Sequence, residues 1–184
     1  MIYRLSIAIA FILATVVGVA AQANIRQVDL KNFTHSLSCG DTDPVSRVRV
    51  RNGEFSGAKN GLDVYLKITD VVYGDIDRDG KDEAVVLYSC GSGASYVYIW
   101  GLVYSIEHKK PVLITTLAGG NKGDGGFYDL SVKRNLLIVQ RYQLGTAGSP
   151  CCPETIETIK YKLLRRKLRQ AGRASYRKIV SESR

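Results

Sequence analysis

The sequence predicts an all-β protein, either a single antiparallel β-sandwich or a partly closed barrel of about eight to ten short strands. Three observations support this class. Apolar and polar residues alternate with a period of two in several short segments, as in strands with one buried face. β-Branched and aromatic residues are concentrated in the same segments. Turn-forming residues recur about every ten positions, and little of the chain shows helical periodicity.

The first predicted strands lie between residues 45 and 104. Residues 45–50 and 62–68 alternate apolar and polar side chains, and an Asn-Gly turn follows the first of them at residues 51–54. Residues 84–88 and 96–104 are rich in β-branched and aromatic residues, and the second segment is long enough for a central strand.

The pattern continues after residue 104 with shorter segments and clear turns. A turn with a proline and a Gly-rich loop each separate apolar runs, as expected for consecutive antiparallel strands. In chain order these are a turn at 108–111, a strand at 112–117, a loop at 119–127, a strand at 128–132, a turn at 133–135 and a strand at 136–142.

Residues 159–170 are open to two interpretations. Apolar and polar residues alternate from Ile159 to Leu163, which favours a hairpin that turns at residues 164–167. Two leucines four positions apart are also at helical spacing, so a basic amphipathic helix stays an alternative.

Residues 1–23 have the layout of a secretory signal peptide: an early Arg4, an apolar run and a small-x-small end. Cleavage there leaves one β domain, which we place at residues 24–172, followed by a basic tail at 173–184. An uncleaved membrane anchor is the alternative. No other run approaches the length of a membrane span, so we expect a secreted or periplasmic monomer without a transmembrane span after cleavage.

All four cysteines, Cys39, Cys90, Cys151 and Cys152, lie beyond the predicted signal peptide. An even number of cysteines in an oxidising compartment predicts two disulfide bonds. A bond between neighbouring cysteines is strained, so we expect Cys151 and Cys152 to pair with Cys39 and Cys90, in either order.

The formal net charge of +9 is concentrated at the C-terminal end. From Lys160 onward there are ten Lys or Arg residues against the single Glu182. Such a segment suits an anionic polymer or an anionic component of the cell envelope. A solvated sheet edge with a frayed basic tail is the alternative.

The stretch GDIDRDGKDEAVV at residues 74–86 places five acidic side chains directly before an apolar run. Alternating acids around a glycine are typical of loops that wrap a calcium ion with oxygen ligands. An EF-hand is excluded, because the twelfth position is Val86. The candidate ligands for one Ca²⁺ are the carboxylates of Asp75, Asp77, Asp79 and Glu83 and the backbone carbonyl of Lys81.

A metal-free acidic turn, in which aspartates accept hydrogen bonds from backbone amides, is the alternative for the same loop. The fifth acid, Asp82, is expected to face solvent.

The loop resembles the D-x-D-x-D-G-x-x-[DE] loop of FG-GAP and related extracellular β-repeats, which closes at the ninth position and continues into a strand. Asp75, Asp77, Asp79 and Glu83 match its carboxylates, and Lys81 matches its backbone ligand. Only one copy of the loop exists here, so the resemblance does not imply a propeller.

The chain is also similar to a group of small exported bacterial proteins of uncharacterised function. This resemblance implies a secreted or periplasmic β domain and brings no reaction with it. It rests on NFTHSLSC (32–39), VVYGDIDRDGKDEAVVLYSC (71–90), GGNKGDGGF (119–127) and CCPETIETIKYKL (151–163).

The catalytic templates fit the sequence poorly, which favours a protein that is not an enzyme. GSGAS at residues 91–95 is not a nucleophile elbow, and His35 and His108 have no local partner and are expected at the surface. We therefore expect a calcium-binding β domain that acts as a binding or envelope-associated module. The alternative is a hydrolase of an envelope polysaccharide or ester that uses Asp124, Glu83 or His108.

Overall fold

The computed structural model of the chain describes residues 23–39, 45–59, 62–92, 97–121, 126–144 and 153–179. Most of the predicted signal peptide, at residues 1–22, lies outside these ranges, as do Asp124, Cys151 and Cys152. Within these ranges, no helix has the length and apolar character needed to cross a membrane.

Twelve strands and two short 3-10 helices occupy the described residues, which confirms the all-β prediction. The 3-10 helices are Ile25–Gln27 and Leu30–Asn32. The strands are β1 Thr34–Leu37, β2 Ser46–Arg49, β3 Glu54–Lys59, β4 Leu62–Gly74, β5 Glu83–Ser92, β6 Val97–Glu107, β7 Lys110–Asn121, β8 Phe127–Lys133, β9 Leu136–Leu144, β10 Pro153–Leu164, β11 Lys167–Gln170 and β12 Ser175–Lys178.

The strands form a sandwich-like fold of antiparallel sheets. The central sheet has the strand order β3-β4-β5-β6-β7. The outer sheet has the order β11-β10-β9-β8, and β12 also pairs with β10. β1 and β2 form a separate two-stranded ribbon. Most neighbours in the sheets are consecutive along the chain, as expected where short turns join antiparallel strands.

The central sheet is covered on both faces, and β5 shows this most clearly because residues 83–88 are all buried. Val85 and Leu87 belong to an apolar cluster that β8 and β9 complete from the outer sheet. Val86 and Tyr88 belong to a second cluster, which contains apolar residues of the 3-10 helices. A strand buried on both faces reads as a continuous apolar run, which explains the segment AVVLY at residues 84–88.

In the described residues, two-residue turns join the strands of three hairpins, and a fourth turn precedes β3 between the bridged residues Arg51 and Glu54. Both residues of each turn have positive φ, the backbone conformation that matches the right-handed twist of paired strands. The turns are Asn52-Gly53, His108-Lys109, Arg134-Asn135 and Arg165-Arg166. Lys110 and Pro111, which the sequence placed in a turn, already belong to β7.

Residues 159–170 form a hairpin, so the strand interpretation is confirmed and the basic helix is wrong. β10 and β11 pair antiparallel, with Leu163 opposite Leu168. Leu163 is buried against the central sheet, a position that period-two alternation provides. β12 pairs with β10 from residue 175 to 178, so the outer sheet continues beyond residue 172, where the sequence suggested that a tail begins.

Cys39 and Cys90 form a disulfide bond with each other. The expectation that each would pair with Cys151 or Cys152 is therefore wrong. The bond ties the segment after β1 to β5, and Cys90 is fully buried in the cluster beneath the 3-10 helices. The fold brings together two cysteines that are 51 positions apart, which the spacing of cysteines alone does not determine.

His35 is buried rather than exposed, which corrects the sequence-based expectation. Its Nε2 lies 2.9 Å from the Leu30 carbonyl oxygen, and its Nδ1 lies 2.9 Å from the Tyr104 hydroxyl. A carbonyl only accepts hydrogen bonds, so Nε2 carries the proton and Nδ1 accepts from the hydroxyl. Burial lowers the pKa of His35, and the bond to Leu30 opposes this effect.

Candidate metal centre

The acidic loop, residues 75–82, connects β4 to β5 at one end of the sandwich. Gly74 and Glu83 face each other as the last pair of the two strands, so they close the base of the loop. Arg78 and Gly80 have positive φ, of 71° and 83°, which lets the chain turn tightly between the strands. The sequence pattern therefore folds as a compact loop that leads directly into a buried strand.

Hydrogen bonds from backbone amides orient the aspartates inside the loop. The Asp75 carboxylate accepts from Arg78 N at 2.6 Å and from Gly80 N at 3.2 Å. Asp77 Oδ1 accepts from Asp79 N at 3.0 Å, and Asp79 Oδ1 accepts from Lys81 N at 2.8 Å. These are the turn interactions that short acidic side chains favour, and they fix the carboxylates relative to the backbone.

Three of the five candidate ligands meet at one point. Asp75, Asp77 and Glu83 each place a carboxylate oxygen within 4.8 Å of the other two. Asp79 does not belong to this group; its carboxylate lies 3.9 Å from the ammonium of Lys81, which is exposed. The structure thus separates the predicted carboxylates into a clustered set of three and one that is paired with a lysine.

Glu83 is the buried member of the cluster, and its side chain is only half satisfied. Its exposed fraction is 0 %, and Oε2 accepts a hydrogen bond from Ile76 N at 2.8 Å. Oε1 is buried and has no hydrogen-bond partner. Such an oxygen normally has a partner, because leaving a buried acceptor unsatisfied costs about 1–3 kcal/mol.

The pKa values of the cluster reflect this burial. Burial raises the pKa of Glu83 to about 7, against the opposing hydrogen bond from Ile76, and repulsion from Asp77, Asp79 and Asp75 adds to the rise. The pKa of Asp77 is also raised, by partial burial first and by repulsion from Asp79 and Asp75. Both shifts indicate that the metal-free cluster resists holding its full negative charge.

Residues outside the loop hold it in place, and sequence reasoning did not identify them. Asn135, from the turn between β8 and β9, donates its side-chain amide to the Asp75 carbonyl at 3.0 Å. Arg26, in the first 3-10 helix, forms an ion pair with Asp82, whose side chain is only 27 % exposed. The expectation that Asp82 faces solvent freely is therefore wrong. No local pattern signals contacts across 56 and 60 positions.

Two of the three residues suggested for hydrolysis lie in the described ranges. His108 is exposed in the turn between β6 and β7, with φ of 48°. Glu83 is the buried acid of the candidate metal centre.

Comparison with known proteins identified no relative of the chain. No family model matches the chain, and neither a curated protein nor a solved structure was found to be similar to it.

Proposed function

We propose that the protein is an exported β module that binds one Ca²⁺ ion at Asp75, Asp77 and Glu83. The observation that carries this proposal is the unpartnered, buried Oε1 of Glu83 beside two further carboxylates. A cation among the three would give that oxygen a partner and offset the repulsion between the acids. Asp79 and the Lys81 carbonyl are expected to contribute after small movements of the loop.

The chemistry of the donors favours calcium over other ions. All three clustered donors are carboxylate oxygens, which suits a hard cation and not zinc or copper, for which His and Cys are the usual ligands. Mg²⁺ demands near-ideal octahedral geometry, whereas Ca²⁺ accepts irregular sets of six to eight oxygens. A loop shaped by its own hydrogen bonds suits the less demanding ion.

Calorimetric titration of the chelator-treated protein with CaCl₂ tests the proposal. We expect a single site, and we expect Glu83→Gln and Asp77→Asn each to weaken binding by about tenfold or more because each removes a charged ligand. Asp77 is exposed, so its substitution tests the site without disturbing the core. Asp129→Asn, which removes an exposed acid on β8, is the matched control. Absence of heat and of a thermal shift at millimolar Ca²⁺ would refute the site.

The proposed location, secreted or periplasmic, has two supports. The N-terminal sequence has the layout of a signal peptide, and Cys39 and Cys90 lie at bonding distance. Disulfide bonds persist in oxidising compartments outside the cytoplasm. Trapping of free thiols in intact cells, followed by fractionation, tests this location: a reduced cytoplasmic pool would contradict it.

Polyanion binding is a second candidate, and the outer sheet provides the observation that favours it. Lys162 pairs with Arg169 and Leu164 pairs with Lys167, so these side chains share one face of the hairpin with Lys160. All five are exposed, and Leu164 is 53 % exposed. We call Lys160, Lys162, Lys167 and Arg169 the cationic face. It presents four positive charges on two adjacent strands.

Retention on a heparin column measures this second activity. Lys162→Glu is expected to lower the salt concentration at elution, because it reverses a charge at the centre of the cationic face. Lys110→Glu makes the same charge change on exposed β7 and serves as the control. Equal elution of both variants would reject the cationic face as the binding surface.

A further inference from the structure

A cavity of about 240 Å³ lies beside the candidate metal centre. Three parts of the fold enclose it: the acidic loop, the hairpin of β6 and β7, and the turn between β10 and β11. The acidic loop contributes Asp77 and Asp79, which we call the acidic wall, and the β10–β11 turn contributes Arg165 and Arg166, which we call the basic wall. The remaining lining includes the apolar residues Ile106, Ile114 and Leu163. The cavity therefore combines an acidic wall, a basic wall and an apolar part.

The acidic wall leaves coordination positions of the proposed ion open toward this cavity. Calcium takes six to eight oxygen ligands, and the cluster supplies three carboxylates. Four of the six carboxylate oxygens already accept backbone hydrogen bonds. Glu83 is buried and Asp77 lines the cavity, so an ion held by both side chains would be reached from the cavity and not from the core.

The basic wall supplies a donor for an anion. Arg166 forms an ion pair with Glu107, whereas Arg165 has no carboxylate partner in the described part of the chain. The turn that carries both residues has positive φ at each, so its backbone is fixed by the hairpin. A guanidinium binds carboxylate or phosphate oxygens through paired hydrogen bonds, which makes Arg165 suited to an oxyanion.

The charged side chains around the cavity couple the binding of an anion to the binding of the cation. The acidic side chains are Asp75, Asp77, Asp79, Glu83 and Glu107, and the basic side chains are Lys81, Arg165 and Arg166. This set carries a net charge of about −2 when all are ionised, which repels an anion and which a divalent cation cancels. A bound cation is therefore expected to strengthen the binding of an anion at this position.

We propose that this cavity binds a small organic oxyanion, a carboxylate or a phosphate ester, that coordinates the ion and pairs with Arg165. The inference rests on the proposed calcium site. The ligand's charged group lies between the ion and the guanidinium, and its body packs against the apolar residues of the cavity. The module thereby binds its ligand more tightly in the calcium-loaded state.

Luminescence of bound Tb³⁺, an oxygen-preferring ion of similar size to Ca²⁺, tests the inference. Lifetimes in H₂O and D₂O report how many water molecules coordinate the ion. D-Galacturonate and glucose 1-phosphate are the probes, and neutral D-galactose is the control ligand. We expect at least one of the two anions to displace coordinated water from the wild-type protein, and galactose to displace none.

Variants separate this inference from the calcium site itself. Arg165→Ala is expected to bind Tb³⁺ with unchanged affinity and to bind the anion about tenfold more weakly, because it removes a charge-assisted pair. Arg49→Ala, which removes an exposed arginine from β2, is expected to change neither value. Displacement by galacturonate alone identifies a carboxylate ligand, and displacement by glucose 1-phosphate alone identifies a phosphate ligand.

Two outcomes would overturn the inference in different ways. If Tb³⁺ does not bind, the calcium site fails and the anion site fails with it. If Tb³⁺ binds but neither anion displaces water, or if Arg165→Ala binds the anion as well as wild type does, only the anion site is rejected.

Discussion

At the scale of single residues, Glu83 combines complete burial with an ionisable group. Its pKa is raised to about 7, chiefly by burial, from an ordinary value of 4.5. The folded protein therefore holds this proton more tightly than the unfolded chain does. Its contribution to stability is fully present below pH 4.5 and is lost as the pH rises through about 7.

In the metal-free protein, Glu83→Gln removes the loss of stability that the wild type shows as the pH rises through about 7. Between pH 5 and pH 8, we expect the free energy of unfolding of the wild-type protein to fall by roughly 2.5 kcal/mol relative to that of the variant. Urea denaturation in EDTA at several pH values measures the difference. Calcium at pH 8 should stabilise the wild type more than the variant, because the variant binds the ion more weakly. Parallel pH profiles in EDTA would contradict the prediction.

His35 has the opposite dependence on pH. Its folded pKa is lowered by burial, so its contribution is present above about pH 6.5 and is lost as the pH falls through the lower, folded value. In the Glu83→Gln background, acidification below pH 6.5 should lower the melting temperature. Adding His35→Gln should flatten that slope and cost about 1–3 kcal/mol at pH 7, because buried hydrogen bonds are changed. If His35→Gln leaves the fall of the melting temperature below pH 6.5 unchanged, another group causes that fall.

Glu83 and His35 differ in how far their roles could be predicted from the sequence. Glu83 was predictable, because its position in the loop follows from a local spacing. The role of His35 was not, since its partner Tyr104 lies 69 positions away and nothing nearby indicates burial. Asp79 matched the local spacing, yet Lys81 pairs with it instead of leaving it in the cluster.

At the scale of elements, the end of β4 passes unusually close to β8. A Cβ atom on Gly74 would lie 2.5 Å from Val132 Cγ1 and 2.7 Å from Val132 Cβ. The absence of a side chain at Gly74 thus lets the two sheets approach each other directly beneath the acidic loop. Asn135, two positions beyond β8, reaches the loop from the same side.

Gly74→Ala should destabilise the protein by about 1–3 kcal/mol, because the stiff Val132 side chain cannot move away easily. Val132→Gly should remove the clash, because it removes the Cβ atom as well as Cγ1, so the double variant should lose less than the sum of the single variants. Chemical denaturation of the four proteins in a double-mutant cycle measures this coupling. If the losses of unfolding free energy in the single variants simply add up in the double variant, Gly74→Ala does not clash with Val132.

Elements with a strong local pattern were predictable, and those that depend on distant pairing were not. The alternation in residues 62–68 identified β4, and Asn52-Gly53 identified the turn that precedes β3. β12 is rich in Lys, Arg and Ser and has no apolar alternation. Its strand conformation depends on pairing with β10 and on the hydrogen bond from the Tyr176 hydroxyl to Glu157 at 2.9 Å.

At the scale of the whole molecule, the Cys39–Cys90 bond joins the N-terminal segment to the central sheet. It closes a loop of 51 positions, for which loop-closure entropy predicts a stabilisation of about 4 kcal/mol. The class of the fold was predictable from alternation alone. The layer formed by the N-terminal segment was not, because its apolar residues are too sparse to show a period.

A Cys39→Ala, Cys90→Ala double variant should lose about 2–4 kcal/mol of unfolding free energy. Its affinity for Ca²⁺ should stay within about twofold of wild type, because Cys90 and Glu83 are seven residues apart on β5, roughly 23 Å along the strand. Denaturation and calorimetric titration of the same samples test both statements. Loss of calcium binding in a folded variant would show that the two ends of β5 are coupled.

β5 begins with Glu83 and carries Cys90 near its far end, and the interior of the molecule is built on both of its faces. Under the proposed function, one end of this strand holds a calcium ion, and the other end carries a disulfide bond. Both need conditions found outside the cytoplasm, where calcium is plentiful and thiols become oxidised. We therefore expect the interior to reach its full stability only after export.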